Sequence, residues 1–351
     1  MKVIYFAHSV LSRGGDKMIL AHLGHLAAAG HQVVIRANII DTVFTIYPAI
    51  TIEKPRICSK LGTLISALIE KQRADCIIAS IVPTAVFLSL RNRCRVVHFA
   101  QDDNETAYSS PLLRYAMNFL YLLSFSLLSI PTITVSPDLA ATFKKKYGVN
   151  CRVVSNGVDT GVFFPSPSAD LLAIKGGRKS ILLLSRNDPR KGFDIARQVV
   201  AQLARISRVP FEVWTVGEEM IWSDFPGIHR HFGFLHEGEL RSLMSSADVF
   251  FYPSRHEGFG LMVLEAFASA CPVVTSAAVT YARNNENALV SGIEDVDSLT
   301  GQVMKILEDE QLAKKIATGG YRFAQENLLA ESSVRFENEI SLFVNGSLEN
   351  V

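Results

Sequence analysis

Short apolar strands alternate with helical segments along almost the whole chain, and this alternation restricts the possible folds more than any other feature. Residues 2–7 resemble a buried strand, residues 16–29 a helix with apolar residues at helical spacing, and residues 32–36 the next strand. Such a strand–loop–helix–strand unit is the building block of a parallel α/β sheet. The chain is therefore predicted to belong to the α/β class.

The alternation occurs in two series. The strands predicted after the first unit lie at 75–80, 95–100, 132–135, 152–155, 180–184, 211–216, 249–252 and 272–275. A turn-rich stretch, from Asn156-Gly157 to Pro167, separates the two series. With 351 residues the chain is long enough for two domains. We predict one Rossmann-like domain over 1–160, a second over 161–330, and a C-terminal helix in 331–351 that packs back on the first.

Charge is divided unequally between the two halves. Residues 1–164 hold 17 Lys and Arg against 10 Asp and Glu, a net of +7, and the rest of the chain brings the total to +1. The total implies no nucleic-acid partner. We expect the basic half to approach an anionic membrane surface, with Arg91, Arg93, Arg95 and Lys144, Lys145, Lys146 as the candidates. Ordinary solvated surface charges are the alternative.

The cysteines and the N-terminus favour a cytoplasmic location. The five cysteines lie far apart without any C-x-x-C pair, which is typical of reduced thiols. The first ten residues resemble a strand rather than the apolar core of a signal peptide. Residues 112–130 are apolar enough to suggest a membrane span, but they contain Arg114 and Asn118. We expect a buried helix or one that lies along a membrane surface.

The segment PSRHEGFGLMVLEAFASACPVV, residues 253–274, carries the sharpest chemical signal. Glu257 and Glu265 are separated by seven residues, and glycines between them lead into a predicted helix. Unpaired backbone N–H groups at a helix N-terminus bind anions, and glycines let a phosphate approach them. Glu265 would lie one to two turns into the helix, and Glu257 before it. The alternative is a helix-capping loop with two surface glutamates.

A basic turn follows the first strand of the second series. In residues 184–192, LSRNDPRKG, Arg186 and Lys191 are placed to converge on one anion, and Arg190 is a third candidate. A departing diphosphate needs such charge. A solvated basic turn is the alternative.

Two weaker signals lie in the first series. Gly14-Gly15 follows the first strand, although glycine pairs are common in turns, and the dinucleotide pattern G-x-G-x-x-G is absent. His98 lies at a predicted strand end, where a lone histidine is more often structural than catalytic. Asp102-Asp103 could suggest a metal-binding pair, but we expect a solvated loop or an acceptor contact.

Residues 253–274 resemble the E-x7-E motif of the retaining family 4 glycosyltransferases, which have the GT-B fold of two Rossmann-like domains facing across a cleft. The resemblance implies that Glu257 contacts the transferred sugar and Glu265 the ribose. It implies that the backbone of Gly258, Phe259, Gly260 and Leu261 holds the diphosphate. By the same resemblance Arg186 and Lys191 stabilise the leaving group, Gly14 and Gly15 approach the phosphate, and His98 lies near the donor sugar. Residues 156–159 also resemble the family's inter-domain segment.

The resemblance implies a transferase that uses a nucleotide-diphosphate sugar, a saccharide or lipid-linked acceptor, and neither a metal nor another cofactor. Bacterial cell-surface polysaccharide synthesis is the expected role. The FAQDD stretch and the DPRKG turn resemble bacterial rhamnosyltransferase-type members, whereas the loop after Thr275 lacks the Gly-Gly…Pro-Glu pattern of many members. Rival interpretations are a phosphorylase or nucleotide-sugar epimerase of the same fold, and a non-catalytic sugar-binding protein.

Overall fold

The computed structural model describes residues 1–93, 95–108, 110–220, 222 and 225–346. It divides the chain into two compact units. The first contains Met1–Asn156 and the chain from Ala330 onward, and the second contains Gly157–Leu329. The boundary thus lies four residues before the predicted one.

The first unit is built from seven strands and five helices before the chain enters the second unit. In chain order these elements are β1 (Lys2–Leu11), α1 (Gly14–Ala28), β2 (Gln32–Asp41), β3 (Thr51–Glu53), α2 (Lys60–Ile69), β4 (Cys76–Ala79), α3 (Val82–Arg91), β5 (Val96–Ala100), α4 (Pro111–Leu122), β6 (Thr132–Thr134), α5 (Pro137–Tyr147) and β7 (Arg152–Val153). The strands form one parallel sheet in the order β3-β2-β1-β4-β5-β6-β7. β1 and β4 are buried along most of their length, as expected of strands covered by helices on both faces.

The second unit repeats this architecture. Its elements are α6 (Ala169–Lys175), β8 (Lys179–Ser185), α7 (Phe193–Ile206), β9 (Phe211–Gly217), β10 (His229–His231), α8 (Glu237–Ser246), β11 (Val249–Tyr252), α9 (Leu261–Ala268), β12 (Val273–Ser276), β13 (Leu289–Ser291), α10 (Val296–Glu308) and α11 (Glu310–Gln325). The parallel sheet has the order β10-β9-β8-β11-β12-β13. Its core lies on both faces of the sheet, with Trp214, Phe250 and Phe267 on one side and Phe193 and Phe251 on the other.

The last described helix, α12 (Leu329–Val344), packs in the first unit. The imidazole of His22 stacks on Phe336 at a centroid distance of 4.6 Å, and its Nδ1 lies 3.0 Å from the Ser333 hydroxyl. Glu337 is 2.9 Å from a ring nitrogen of His25 and 2.9 Å from one of His31. One ring stack and several polar contacts therefore attach this helix to α1 and to the residues that follow it.

The apolar stretch at 112–130 forms α4 and a π-helical turn at Leu123–Leu127. Met117, Tyr121 and Ser124 are buried, whereas much of the remaining surface is exposed. Among the described residues no helix is both long and apolar enough to cross a bilayer. The stretch is thus a surface helix with one buried side.

Candidate active site

The strand order of the second sheet reverses at β8, which lies between β9 and β11. The chain leaves β8 and β11 in opposite directions, and a crevice forms at the carboxyl ends of such a pair of strands. The loops that follow β8 and β11 contain the two sequence motifs, at 186–192 and 253–260. The fold therefore brings both motifs to the same edge of the sheet.

The carboxylate of Glu257 is the centre of a polar network in this crevice. Its Oε1 accepts hydrogen bonds from Tyr252 Oη at 2.7 Å and Ser254 Oγ at 2.6 Å. Lys191 Nζ lies 2.9 Å from Oε1 and 3.0 Å from Oε2. Only 6% of the Glu257 side chain is exposed. Burial, and next the charge of Glu257, raise the pKa of Tyr252 well above its ordinary value, so its hydroxyl remains a donor.

The two motif loops are fixed to each other through backbone contacts. The carbonyl of Arg190 accepts hydrogen bonds from the Ser254 hydroxyl at 2.8 Å and from the Arg255 N–H at 2.7 Å. Gly192 has φ +69°, and a Cβ there would lie 2.0 Å from the carbonyl oxygen of Pro253. Only glycine fits such a left-handed residue in contact with backbone. This close approach is what places Lys191 beside Glu257.

Arg255 strengthens the same junction. Its guanidinium donates to both carboxylate oxygens of Asp194 at 2.7 Å, and it also binds Glu294. It donates a further bond to the carbonyl of Pro189 at 2.7 Å. Planar, bidentate pairing of this kind is what the fork of arginine donors favours. Arg255 therefore acts as a structural tie between the two loops and the first turn of α7.

Arg186 and Arg190 have different environments. The Nε of Arg186 lies 3.7 Å from Glu218, whose carboxylate also accepts the backbone N–H of Asn187 at 2.8 Å. Arg190 instead forms a fork to Asp188, at 3.1 Å and 2.8 Å. Partial burial opposes ionisation of Asp188, but the hydrogen bonds from Arg190 outweigh it and lower the pKa of that carboxyl. Arg186 is thus the more loosely held of the two cations.

The second half of the motif forms a helix start, as its glycines predict. Gly260 has φ +91° and precedes α9, and Glu265 lies buried in the second turn of that helix. Tyr281 donates to the carbonyl of Gly260 at 2.6 Å, and its ring lies 4.8 Å from that of Phe259. Burial, and then the charges of Glu257 and Glu265, raise the pKa of Tyr281. Both motif glutamates therefore lie within electrostatic reach of this tyrosine.

The glycine pair of the first unit forms the first turn of α1 rather than a loop, because α1 begins at Gly14. A Cβ on Gly15 would lie 1.9 Å from the side-chain oxygen of Gln101. Asp16 follows in the same turn and accepts the N–H of Leu11 at 3.1 Å. Burial raises the pKa of Asp16 to about 6. The site at the end of β1 is therefore polar, and the exposed Arg13 lies close enough to Asp16 to act on its carboxyl.

His98 does not lie at the end of its strand. It is in the middle of β5 with no exposed surface, and neither ring nitrogen has a hydrogen-bond partner among the described residues. Burial lowers the pKa of His98 to about 3, so it is neutral. A fully buried imidazole cannot touch a substrate in this conformation. The side chain that reaches the glycine pair from the end of β5 is that of Gln101.

Asp103 is also not the solvated residue that the sequence predicts. Its side chain is buried and lies 2.6 Å from Lys146 Nζ, which also contacts Glu105 at 2.8 Å. A buried carboxylate requires such a partner. Of the predicted membrane-facing lysines, Lys146 is therefore engaged within the first unit, whereas Lys144 and Lys145 are exposed.

Comparison with known families agrees with the two-unit architecture. The family model for Glycosyl transferases group 1 matches residues 171–323, which contain both motif loops of the second unit. The model described as Glycosyltransferase Family 4 matches residues 12–162 of the first. The chain belongs to glycosyltransferase family 4.

This family 4 chain is 27% identical to an MMP alpha-(1->4)-mannosyltransferase of Mycolicibacterium hassiacum over 67% of its own length and 60% of that relative's. It is similar in structure to a sucrose-phosphate synthase from Thermosynechococcus elongatus, with a TM-score of 0.82, 18% identity, and coverage of 99% of this chain and 100% of the other. The Anabaena protein Alr3699/HepE, in complex with UDP and glucose, gives a TM-score of 0.77 at 19% identity, with coverage of 97% of this chain and 99% of the other. These likenesses confirm the GT-B fold.

Several residues of this family 4 site were not predicted from the sequence. Ser254 and Arg255 lie inside the segment 253–274, and their polar side chains shortly before Glu257 could have indicated a role in the site. Tyr252 ends a strand that reads as purely apolar, and Tyr281 lies in the loop after Thr275, where no pattern marks it. Glu218 follows the glycine that ends β9, and only the structure reveals its contact with Arg186.

Proposed function

We propose that this family 4 chain is a retaining glycosyltransferase. It transfers a hexosyl or deoxyhexosyl group from a nucleotide-diphosphate sugar to a saccharide or lipid-linked acceptor, in the synthesis of a bacterial cell-surface polysaccharide or glycolipid. The observation that carries the proposal is the contact between Lys191 and the buried carboxylate of Glu257 at the strand-order reversal of the second sheet. This contact places a cation that can bind a phosphate beside a carboxylate that can accept hydrogen bonds from a sugar.

The proposed donor is bound by groups with different chemistry. The backbone N–H groups that begin α9, near Phe259, Gly260 and Leu261, receive the diphosphate, since a helix N-terminus favours anions. Glu265, further along that helix, accepts from the ribose hydroxyls. Glu257 has a second carboxylate oxygen, Oε2, which contacts Lys191 at 3.0 Å, and we expect this oxygen to accept a hydrogen bond from a hydroxyl of the sugar.

In the proposed reaction the bond between the anomeric carbon and the phosphate oxygen breaks, and a bond from that carbon to the acceptor oxygen forms on the same face. The acceptor proton passes to the departing phosphate. Arg186 and Lys191 stabilise the charge that develops on the diphosphate. Because Lys191 is held by Glu257 before the donor arrives, its position is preorganised and little rearrangement is needed.

The test is turnover and product stereochemistry with the full chain and a panel of nucleotide-diphosphate sugars. We expect one donor to give a product that keeps the anomeric configuration, as read by NMR. In Glu257→Ala, kcat/KM for that donor falls by about 1,000-fold, because a preorganised contact to the sugar is lost and Lys191 loses its anchor. In Glu257→Gln, which keeps a hydrogen-bonding oxygen, kcat/KM falls by less.

Glu308→Ala serves as the matched control, since Glu308 is an exposed glutamate of α10 in the same unit. Its turnover should equal that of the unchanged protein. Near-normal turnover in Glu257→Ala, or a product of inverted configuration, would contradict the proposal. Nucleotide release without any glycoside product would favour an epimerase or hydrolase instead.

A further inference from the structure

The outward side of α4 is covered by large apolar side chains. Leu112, Tyr115, Phe119 and Leu122 are 78%, 76%, 64% and 49% exposed. Their spacings of three, four and three residues place them on one face of the helix. Met117 and Tyr121 lie on the opposite, buried face. This helix therefore has an apolar side toward the core and a second apolar side toward solvent.

The solvent-facing stripe, defined here as Leu112, Tyr115, Phe119 and Leu122, carries no charge. The one charged residue of α4, Arg114, is paired with Glu105 at 3.1 Å. Leu127, in the turn that follows the helix, is also 74% exposed. A surface helix of a protein that meets only water has polar residues on its outer side. A contiguous exposed apolar patch marks a surface that is covered in use.

Helix α5 packs beside α4 and carries cations. Tyr147 donates to the side-chain oxygen of Asn118 at 2.6 Å, and the rings of Phe143 and Tyr121 lie 5.1 Å apart. Lys144 and Lys145 are exposed on α5. Within the described ranges neither has an ion-pair partner, unlike Lys146, which binds Asp103. Two exposed ammonium groups, without an ion-pair partner among the described residues, thus lie on the helix that packs against α4.

We propose that the stripe is a membrane-docking surface that inserts into the interface of an anionic lipid bilayer, with Lys144 and Lys145 binding the headgroups. Aromatic and aliphatic side chains in one stripe and lysines beside it are the combination by which surface helices bind anionic membranes. A second copy of the chain could also bury the stripe, but it would place its own lysines, which carry the same charge, near Lys144 and Lys145. Charge complementarity therefore favours lipid. The inference concerns where the chain docks and does not depend on its donor chemistry.

The test is co-sedimentation of the full chain with vesicles of phosphatidylcholine alone and of phosphatidylcholine enriched in phosphatidylglycerol, at low and physiological salt. The unchanged protein binds the anionic vesicles more tightly, and salt weakens the binding. Tyr115→Gln with Phe119→Gln lowers the affinity at least about ten-fold, because two interfacial anchors are lost. Lys144→Gln with Lys145→Gln lowers it about 25-fold and abolishes the preference for anionic lipid, at about five-fold for each removed charge.

Ile206→Gln is the control, because Ile206 is an exposed apolar residue on α7 of the second unit and should leave vesicle binding unchanged. Thermal unfolding and nucleotide binding of each variant show that the fold and the donor site are intact, so a loss of docking is distinguishable from a failed donor assignment. Absence of vesicle binding by the unchanged protein, or equal binding by the Tyr115/Phe119 variant, would overturn the proposal. So would a dimer that the stripe variant converts to a monomer while vesicles stay unbound.

Discussion

The two sheets have the same order around their first strand, yet the crevices at their strand-order reversals differ in charge. At the end of β8 and β11 three cations meet three carboxylates: Lys191 with Glu257, Arg186 with Glu218, and Arg190 with Asp188. At the end of β1 the chain has Arg13, two glycines, the amide of Gln101 and the half-buried Asp16. Equivalent topology thus supplies two crevices, and the side chains give the one in the second unit the denser network of paired charges.

One glycine in each crevice sharpens this comparison, since a Cβ at either position would overlap a neighbouring oxygen. At Gly192 the obstacle is the backbone oxygen of Pro253, and φ is +69°; at Gly15 it is the end of the flexible Gln101 side chain. Gly192→Ala should lower the free energy of unfolding by about 3 kcal/mol, from the left-handed conformation and the clash. Gly15→Ala should change it by less than about 1 kcal/mol, because Gln101 can move and α1 gains a helix former.

Chemical denaturation of the two variants, side by side, measures this difference. The Gly192 variant should also lose nucleotide affinity, because Lys191 is placed by the contact between the loops. Equal stability of the two variants would mean that the close approach of the two loops in the second unit is not a structural requirement.

His98 provides the second test of the comparison, because it was predicted to be catalytic and is buried in the first unit. Its pKa of about 3 lies below that of an unfolded histidine, about 6.5. Above pH 6.5 this residue therefore does not lower the free energy of unfolding, and as the pH drops toward 3 it lowers it progressively. At pH 5 the penalty is about 2 kcal/mol. His98→Leu should therefore be less sensitive than the unchanged protein to a shift from pH 8 to pH 5, as read by denaturant midpoints.

The same variant should keep kcat/KM within about ten-fold of the unchanged protein, since a buried neutral imidazole makes no substrate contact. A loss of 1,000-fold with an unchanged fold would show that His98 becomes accessible in the working enzyme. It would also restore the role that the sequence assigned to it.

The sequence predicted the architecture well where the pattern is local. The strand at 249–252 has the predicted bounds, because a run of apolar residues is a signal that acts over a few residues. The edge strands β3, β10 and β13 were not predicted. Most residues of β3 (TIE) and β10 (HRH) are polar and none is buried, so these two strands lack the apolar run that marks a buried strand. The predicted strand at 95–100 already extended two residues beyond His98, but its pattern did not show that this side chain is fully buried.

For the site, the sequence identified the charged residues but not their partners. Glu257, Lys191 and Arg186 stand in recognisable patterns, whereas the carboxylate of Glu218 comes near Arg186 because β9 pairs with β8. Tyr252 ends β11 and bonds Glu257 five residues later, a contact that the apolar strand pattern does not indicate. Arg190 illustrates the limit: its charge suggested a ligand contact, but its fork to Asp188 makes it part of the turn itself. Contacts between residues distant in sequence depend on packing that no local pattern contains.

The measurement that tests the central claim most directly is calorimetric binding of UDP, GDP, ADP, dTDP and CMP to the full chain and to two arginine variants. If the second crevice binds the donor, one nucleoside diphosphate binds, and Arg186→Ala weakens it by at least about ten-fold through loss of a charge-assisted contact. Arg190→Ala, in the same turn, weakens it by much less, because that guanidinium is committed to Asp188. Binding that is equal in all three proteins, or no binding by a folded chain, would contradict the account.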